Sequence, residues 1–484
     1  MQKASFIGVV AVLLIGAVGT VAWLLMAPEP EVRAVPRIVP RGALLDYAGK
    51  PLTTNETRWY LVLDLDAARR LDSQQTARLA TDLARQLGMA PDLVKRIADR
   101  PRVRALHLPG RFSEQQAQRI REWLQGSEWH ARRLIHFGHT PWRVYPQGSA
   151  MAPVLGIVNV DQYGIEGLEL QQNKALIAGQ TLRLSLEIDR QEAIATVLNE
   201  AMQRHQLIEA SAVAVELATG RVAALVSLPS YDPADLPNRY GPNLRLKPVT
   251  QVFQPGPMLQ PFLLHAVLSA ASPRAKALKD AFAAGHRDVG AAMARELGYE
   301  GSKASLERSG LLDRVDLDFP GVAQTLIRRN GTPEILLRDM GNGAGVAPSL
   351  FTYSMSLATL LNGARQRTRL IGASLQAQPN ASTSDNDAIY ANILRTEMVR
   401  RVRQQSGNPQ ADFGGLWAVY RDRVEQGLGP QRAALALFAP AEQPRYLLTV
   451  MIRPSSSDLS ADTVLGIGSA ALESLLRPNP SSSI

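Results

Sequence analysis

The chain has 484 residues, which is too long for one ordinary hydrophobic core and indicates two or three domains. Hydrophobic residues make up 45 % and charged residues 20 %, as is typical of folded proteins. The absence of cysteine excludes disulfides, thiolate catalysis and cysteine-based zinc sites. A net charge of +9 fits either attraction to an anionic lipid or polymer or a solvated, arginine-rich surface.

The N-terminus predicts a membrane anchor. Residues 6–26 contain no charge, and some twenty residues at about 1.5 Å each span a hydrocarbon core of about 30 Å. Lys3 precedes the run and Trp23 lies near its far end, which predicts that residues 1–5 are cytoplasmic and the rest is outside the cytoplasm. The alternative is a cleaved signal peptide, but no A-x-A-like site follows Met26. An anchored chain of this orientation is not expected to meet nucleic acid.

A stiff linker and a first set of elements follow the anchor. Residues 27–40 contain four prolines and predict an extended linker. Residues 60–65 read as a strand, and leucines between Leu71 and Leu87 predict an amphipathic helix that Gly88 ends. Residues 113–116 form a capping box that opens a helix through Leu124.

Three short motifs come next, and then a second set of elements. The motifs are R-V-Y-P-Q-G at 143–148, V-L-G-I-V at 154–158 and G-I-E-G-L-E at 164–169. Residues 182–189 alternate as a strand, with a long helix predicted from Gln191 to about His205. Further strands are predicted at 211–216, 221–227 and 447–452, the first two joined by a turn at Thr219-Gly220.

These motifs resemble the class B penicillin-binding proteins. The opening at 41–52, the three motifs above and P-S-Y-D-P at 229–233 follow that family's order, so the resemblance spans roughly 41–476. It implies an α/β (α+β) multidomain fold with an N-terminal transmembrane helix. The implied domains are a pedestal, or dimerisation-like, domain at 41–180, a transpeptidase-like domain of the serine β-lactamase type at 181–476, and a polar tail at 477–484.

The segment Gln254–Pro261 resembles the family's active-site segment, E-P-G-S-x-x-K-P, without its chemistry. In the family the serine accepts the acyl group and the lysine helps to remove its proton. Pro257 stands at the serine position and Gln260 at the lysine position. Proline has no hydroxyl and glutamine does not titrate, so neither residue supplies a nucleophile or a base.

No other part of the chain replaces these signatures. None of the eight lysines has a serine three residues before it, and none is followed by Ser-Gly or Thr-Gly. The family's Lys-Thr-Gly motif binds the substrate carboxylate from an edge strand. The candidate segment here, 414–417, carries neither a cation nor a hydroxyl, although a basic residue such as Arg421 lies close behind it.

The family's remaining motif, Ser-x-Asn, has a candidate at His286 and Asp288, before a helix that runs to Leu297. A His-Asp pair is either acid-base machinery or polar surface at a helix start, and the second is favoured because a nucleophile is missing. His136 and His139 lie outside any H-E-x-x-H motif, and no phosphate-binding loop is present. We therefore expect no metal and no cofactor.

The sequence thus predicts a catalytically inactive penicillin-binding-protein-like protein of the bacterial inner membrane. It would be single-pass, mostly periplasmic, and a scaffold or regulator of peptidoglycan assembly or cell division. Expected partners are the membrane, a polytopic glycan polymerase or other cell-wall assembly proteins, and peptidoglycan. Two alternatives stay open: an active D,D-transpeptidase with a divergent site, and a module that binds peptidoglycan fragments. Partner identity, oligomeric state and the envelope process are not predicted.

Overall fold

A computed structural model describes most of the chain from residue 39 onward. The described ranges are 39–87, 104–108, 110–126, 131–234, 242–315, 317–364, 369–371, 385–424, 427–455 and 459–477. The predicted anchor at 6–26, most of the linker, Gly88 and the tail from 478 lie outside them. The chain divides into two compact units, Met1–Pro40 and Arg41–Ile484, and the helices and strands described below belong to the second. In the described ranges no helix has both the length and the apolarity to cross a membrane.

The first part of this unit contains a three-stranded antiparallel sheet in the order β3-β2-β4. Leu61 and Leu63 of the central strand pack in one apolar cluster with Leu83 and Ile120 from two helices, because alternate strand residues point to the same face. The elements are β1 (Leu44–Leu45), β2 (Thr54–Asp64), α1 (Leu65–Ala68), α2 (Ser73–Leu87), β3 (Ala105–His107), α3 (Glu114–Gly126), α4 (Ala131–Leu134) and β4 (Ile135–Val144).

The predicted capping box at the start of α3 is confirmed. The Ser113 N–H donates to Gln116 Oε1 at 2.8 Å, and the Gln116 N–H donates to Ser113 Oγ at 3.2 Å. This reciprocal pair satisfies two N–H groups that the first helical turn leaves without partners. The strand predicted at 60–65 is confirmed as the second half of β2, with Leu65 already in α1.

A buried ion triad joins the first and third motifs to the start of the unit. Glu169 is fully buried; its two carboxylate oxygens accept from Arg41 Nε at 2.6 Å and from Arg143 Nε at 2.7 Å. In the second motif Gly156 has φ +74°, and a Cβ there would sit 1.8 Å from the Glu166 carbonyl oxygen. Only glycine fits that approach. One packed junction is therefore formed by the three motifs, at 143–148, 154–158 and 164–169.

The second part is built on a five-stranded antiparallel sheet in the order β10-β11-β12-β6-β7. The strands predicted at 211–216, 221–227 and 447–452 are confirmed within β6, β7 and β12. The elements up to the site are α5 (Ala152–Leu155), α6 (Gly167–Gln171), α7 (Asn173–Ile177), β5 (Leu182–Arg183), α8 (Ile188–Arg204), β6 (Leu207–Glu216), β7 (Arg221–Leu228), α9 (Lys247–Thr250) and α10 (Gln260–Ser269).

The remaining elements pack helices around α10 and complete the sheet. Seven residues of α10 are buried, so this helix runs through the main apolar core rather than over it. The elements are α11 (Ala275–Ala283), α12 (Val289–Arg308), β8 (Leu326–Ile327), α13 (Pro333–Gly341), β9 (Val346–Ala347), α14 (Leu350–Asn362), α15 (Asp385–Gln405), β10 (Gly414–Val424), β11 (Gly427–Ala439), β12 (Tyr446–Pro454) and α16 (Ala461–Leu476).

The strand predicted at 182–189 is wrong beyond its first two residues. Only Leu182–Arg183 pair as β5, and α8 begins at Ile188, three residues before the predicted start at Gln191. In the segment between, Leu184, Ser185 and Leu186 are all buried, so the alternating sequence does not reflect alternating exposure. Its amides donate to carbonyls of three separate segments, at Leu45, Leu370 and Ala223. A continuous ladder with one neighbour therefore does not form.

Candidate functional site

A cleft of about 200 Å³ opens where α10 begins. Its walls come from the turn before α10, the loop before α12, the end of α13 and the strand β10. The lining residues are Gln254, Gly256, Pro257, Gln260, Arg287, Gly341, Asn342, Gly343, Ala344, Tyr420 and Arg421. Two arginines and no carboxylate are among them, so the described lining is electropositive.

The turn into α10 is a 3₁₀ segment, Gly256–Leu259, held by contacts to its backbone. The Tyr353 hydroxyl, fully buried, donates to the Met258 carbonyl at 2.8 Å. On the other side a Cβ at Gly343, whose φ is +67°, would lie 2.1 Å from the Gly256 carbonyl oxygen. At the base of the cleft, the backbone of Gly343 therefore packs against the backbone of Gly256. The shape of this base does not depend on the side chain at 257.

Pro257 lines the cleft at the first turn before α10. Its ring offers no donor or acceptor to a molecule in the cleft. Gln260, the first residue of α10, is 4 % exposed, and its Oε1 accepts from Arg401 Nη1 at 3.0 Å. The two sequence-predicted positions therefore share one cleft, one as an apolar wall and one as a hydrogen-bond acceptor.

The arginine that contacts Gln260 comes from α15 and is itself buried, with 6 % exposure. Its Nη1 also donates to the Phe282 carbonyl at 3.0 Å, and its guanidinium carbon lies 5.1 Å from the centre of the Phe282 ring. Burial lowers the pKa of Arg401 to about 10, which leaves the group charged at neutral pH. The sequence gives no hint of this residue, because Arg400-Arg401 in a helix is typical of a solvated surface.

The structure places His286 and Asp288 in the exposed loop between α11 and α12. Of this loop, the described cleft lining includes Arg287, and neither His286 nor Asp288 is among the lining residues. The following helix is interrupted at Gly298, which has φ +69°, so its first half ends at Leu297 as predicted. In the described ranges no group of three or more histidine, aspartate or glutamate side chains is placed to hold a metal ion.

The candidate segment 414–417 lies on β10, at the edge of the sheet as expected for the third motif, but it is buried. Further along the same strand, Tyr420 and Arg421 line the cleft. The Tyr420 hydroxyl donates to the Gln254 carbonyl at 2.8 Å, and its ring lies against Gly256. The edge strand thus presents a tyrosine and an arginine to the cleft. The sequence indicated Arg421 only as an alternative and gave no signal for Tyr420.

Comparisons with known proteins show similarity to penicillin-binding proteins. Residues 36–205 match the family model of the penicillin-binding protein dimerisation domain. Over 288 residues the chain is 26 % identical to the peptidoglycan D,D-transpeptidase FtsI of Escherichia coli, covering 52 % of this chain and 47 % of that protein. It is 29 % identical over 157 residues to the probable peptidoglycan D,D-transpeptidase PenA of Neisseria gonorrhoeae, covering 26 % and 27 %. These matches show that the chain is similar to penicillin-binding proteins and that residues 36–205 resemble their dimerisation domain.

Solved structures of penicillin-binding proteins share the fold. Penicillin-binding protein 2X of Streptococcus thermophilus superposes with a TM-score of 0.68 at 13 % identity, over 90 % of this chain and 79 % of that one. A peptidoglycan synthetase from Bifidobacterium adolescentis gives 0.62 at 15 % identity, over 90 % and 94 %. At these identities the match concerns the fold alone. The sequence matches span about half or less of the curated relatives, 47 % for FtsI and 27 % for PenA.

The cleft lies at the segment 254–261, whose sequence resembles the active-site segment of penicillin-binding proteins. Pro257 and Gln260, the two residues singled out by that resemblance, both line the cleft. The described lining contains two arginines and Tyr420 but no carboxylate, histidine or lysine, the side chains that most often act as a general base.

Proposed function

We propose that this chain is a catalytically inactive penicillin-binding-protein-like protein that acts as a scaffold or regulator of peptidoglycan assembly or division. The observation that carries the proposal is the pair at the start of α10. Pro257 offers no nucleophile, and Gln260 is engaged by Arg401 instead of serving as a base. A fold without its reactive groups does not carry the activity of its relatives.

The proposal includes a membrane anchor at 6–26, with the remainder of the chain in the periplasm. The charge-free run and Lys3 support this orientation. The match of 36–205 to the dimerisation-domain model supports a role for the pedestal in contacts with other cell-wall assembly proteins, such as a polytopic glycan polymerase. Peptidoglycan itself is the polymer on which such an assembly would act.

Covalent labelling tests the inactive site directly. The full chain, solubilised in detergent, is incubated with a labelled β-lactam and analysed by intact mass, beside a penicillin-binding protein that retains its serine. We expect an adduct on the control protein and none on this chain, because position 257 has no hydroxyl to acylate. One stoichiometric adduct, mapped to any serine or threonine, would instead establish the alternative of an active D,D-transpeptidase with a divergent site.

Complementation of a deletion strain tests the scaffold role. Pro257→Ala leaves Gln260 and Arg401 in contact and should complement fully, because the wild-type proline performs no chemistry. Replacing residues 6–26 with an unrelated transmembrane helix should reduce complementation at matched protein levels, because a scaffold in the membrane uses its anchor to meet its partner. If the cleft variant fails while folded and the anchor replacement succeeds, the scaffold role is wrong.

A further inference from the structure

The contact between Arg401 and Gln260 links the degenerate site to a helix 141 residues downstream. Arg401 donates to two acceptors, Gln260 Oε1 and the Phe282 carbonyl, both at 3.0 Å. Its Nε is buried and has no acceptor among the described residues. Within the described ranges, no carboxylate forms an ion pair with this guanidinium. Asp280 on α11 and Glu397 on the same helix as Arg401 pair instead with Lys279 and Arg400.

A buried cation without a counter-ion depends on its few neutral acceptors. The Gln260 side chain is one of them. A lysine at 260, as in active family members, would direct an ammonium group at this guanidinium and would remove the acceptor. Like charges in a poorly solvated site repel strongly, so a lysine at 260 and an arginine at 401 are mutually incompatible.

We propose that Arg401 supplies the buried cation next to Gln260, behind the wall of the cleft, and that Gln260 is retained as its acceptor. The pair locks the site in its non-catalytic form. Restoring serine at 257 and lysine at 260 is then insufficient to rebuild the family's site, because Arg401 lies in contact with the residue at 260 and would repel the lysine. Gln260 is thus a positioning residue for Arg401, and the glutamine at this position has a role of its own.

This inference concerns charge at one position and does not rest on the scaffold role. A β-lactam adduct elsewhere in the chain would overturn the proposed function and leave the Arg401–Gln260 coupling intact. Conversely, a chain that forms no adduct can still lack the coupling. The two ideas therefore fail separately.

The test compares charges of opposite sign at 260 with and without the arginine. Gln260→Glu and Gln260→Lys are made in the full-length wild type and in Arg401→Met, and thermal midpoints are measured in detergent at pH 7. With Arg401 present, we expect the glutamate variant to melt at least about 4 °C above the lysine variant. In the Arg401→Met background this difference in melting temperature should be less than half of its value with Arg401 present. A side chain that only fills space would not produce a difference that follows the sign of the charge.

Arg400→Met is the matched control, because Arg400 lies next to Arg401 but is 37 % exposed and pairs with Asp280. The difference between the two 260 variants should persist in that background. If Gln260→Lys does not fold, the test uses the rise in melting temperature of Gln260→Glu above the wild type. This rise must disappear in the Arg401→Met background. The inference is overturned if the two 260 variants differ in melting temperature by the same amount with Arg401 present and with Arg401→Met. It is also overturned if the lysine variant is as stable as the glutamate variant.

Discussion

Glu169→Gln removes the negative charge at the centre of the junction and keeps the side chain's size. In the wild-type protein its carboxylate accepts from Arg41 at 2.6 Å and from Arg143 at 2.7 Å. The three side chains are 4 % exposed or less. The substitution leaves two buried guanidinium groups without a counter-ion, and it turns an amide N–H₂ toward one of them.

The expected loss of stability is large. Each hydrogen bond to a charged partner contributes about 1.5–3 kcal/mol, and two are weakened together, which gives roughly 3–6 kcal/mol. Removing one member of a buried ion pair costs about 3–5 kcal/mol, mainly because the remaining charge stays buried. The two routes agree, so we expect the junction to lose about 3–5 kcal/mol of unfolding free energy.

Urea unfolding of the full chain, followed by circular dichroism and by tryptophan fluorescence, measures this loss. The dependence of the unfolding free energy on urea concentration is taken as equal for wild type and variant. Glu166→Gln is the matched control: Glu166 lies three residues away, and burial raises the pKa of its carboxyl, outweighing the opposing effect of the Arg245 charge. It should change stability by about 0.5 kcal/mol or less. A Glu169→Gln protein within about 1 kcal/mol of the wild type would refute the role assigned to the triad.

Two further predictions concern α10 and the base of the cleft. Burial is the main cause that lowers the pKa of His265 below its usual 6.5, so the unfolded chain binds the proton more readily. The unfolding free energy should therefore fall as the pH drops below about 6.5. Urea unfolding between pH 7.5 and 5.5 measures this dependence on pH, which should be weaker in His265→Phe. An equal dependence in the variant would exclude this histidine as its source. Gly343→Ala places a Cβ 2.1 Å from the Gly256 carbonyl oxygen at φ +67° and should cost at least about 2 kcal/mol, whereas Gly407→Ala, also at positive φ but with open space around it, should cost less. Both are measured by the same urea unfolding, and equal losses would show that strain in φ, and not the close approach, dominates.

Local patterns in the sequence predicted several of the longer helices and strands, and long-range contacts explain where a predicted strand failed. The capping box at Ser113 was predictable because its two partners are three residues apart. The strands β6 and β7 were predictable because a short turn joins them. The segment 184–187 was not, because its hydrogen bonds go to three distant parts of the chain that no local pattern reveals.

The candidate site divides in the same way. The positions of Pro257 and Gln260 followed from a contiguous segment, and the structure places both at one cleft. Arg401 gave no signal, since its meaning depends on a contact across 141 residues. The sequence pointed to 414–417 on β10, whereas Tyr420 and Arg421 line the cleft, because it is this later part of the strand that contacts the turn before α10.

The cleft also shows why the fold alone is a poor guide to activity here. Its base is shaped by the approach of Gly343 to Gly256 and by the Tyr353 hydroxyl on the Met258 carbonyl, and all of these contacts use backbone atoms of the turn. Such contacts are indifferent to whether residue 257 is a serine or a proline. The geometry of the site can therefore persist after its chemistry is lost, provided that the charge balance beneath it is adjusted. We infer that the Arg401–Gln260 contact is that adjustment, because it holds a buried positive charge of α15 against the first residue of α10.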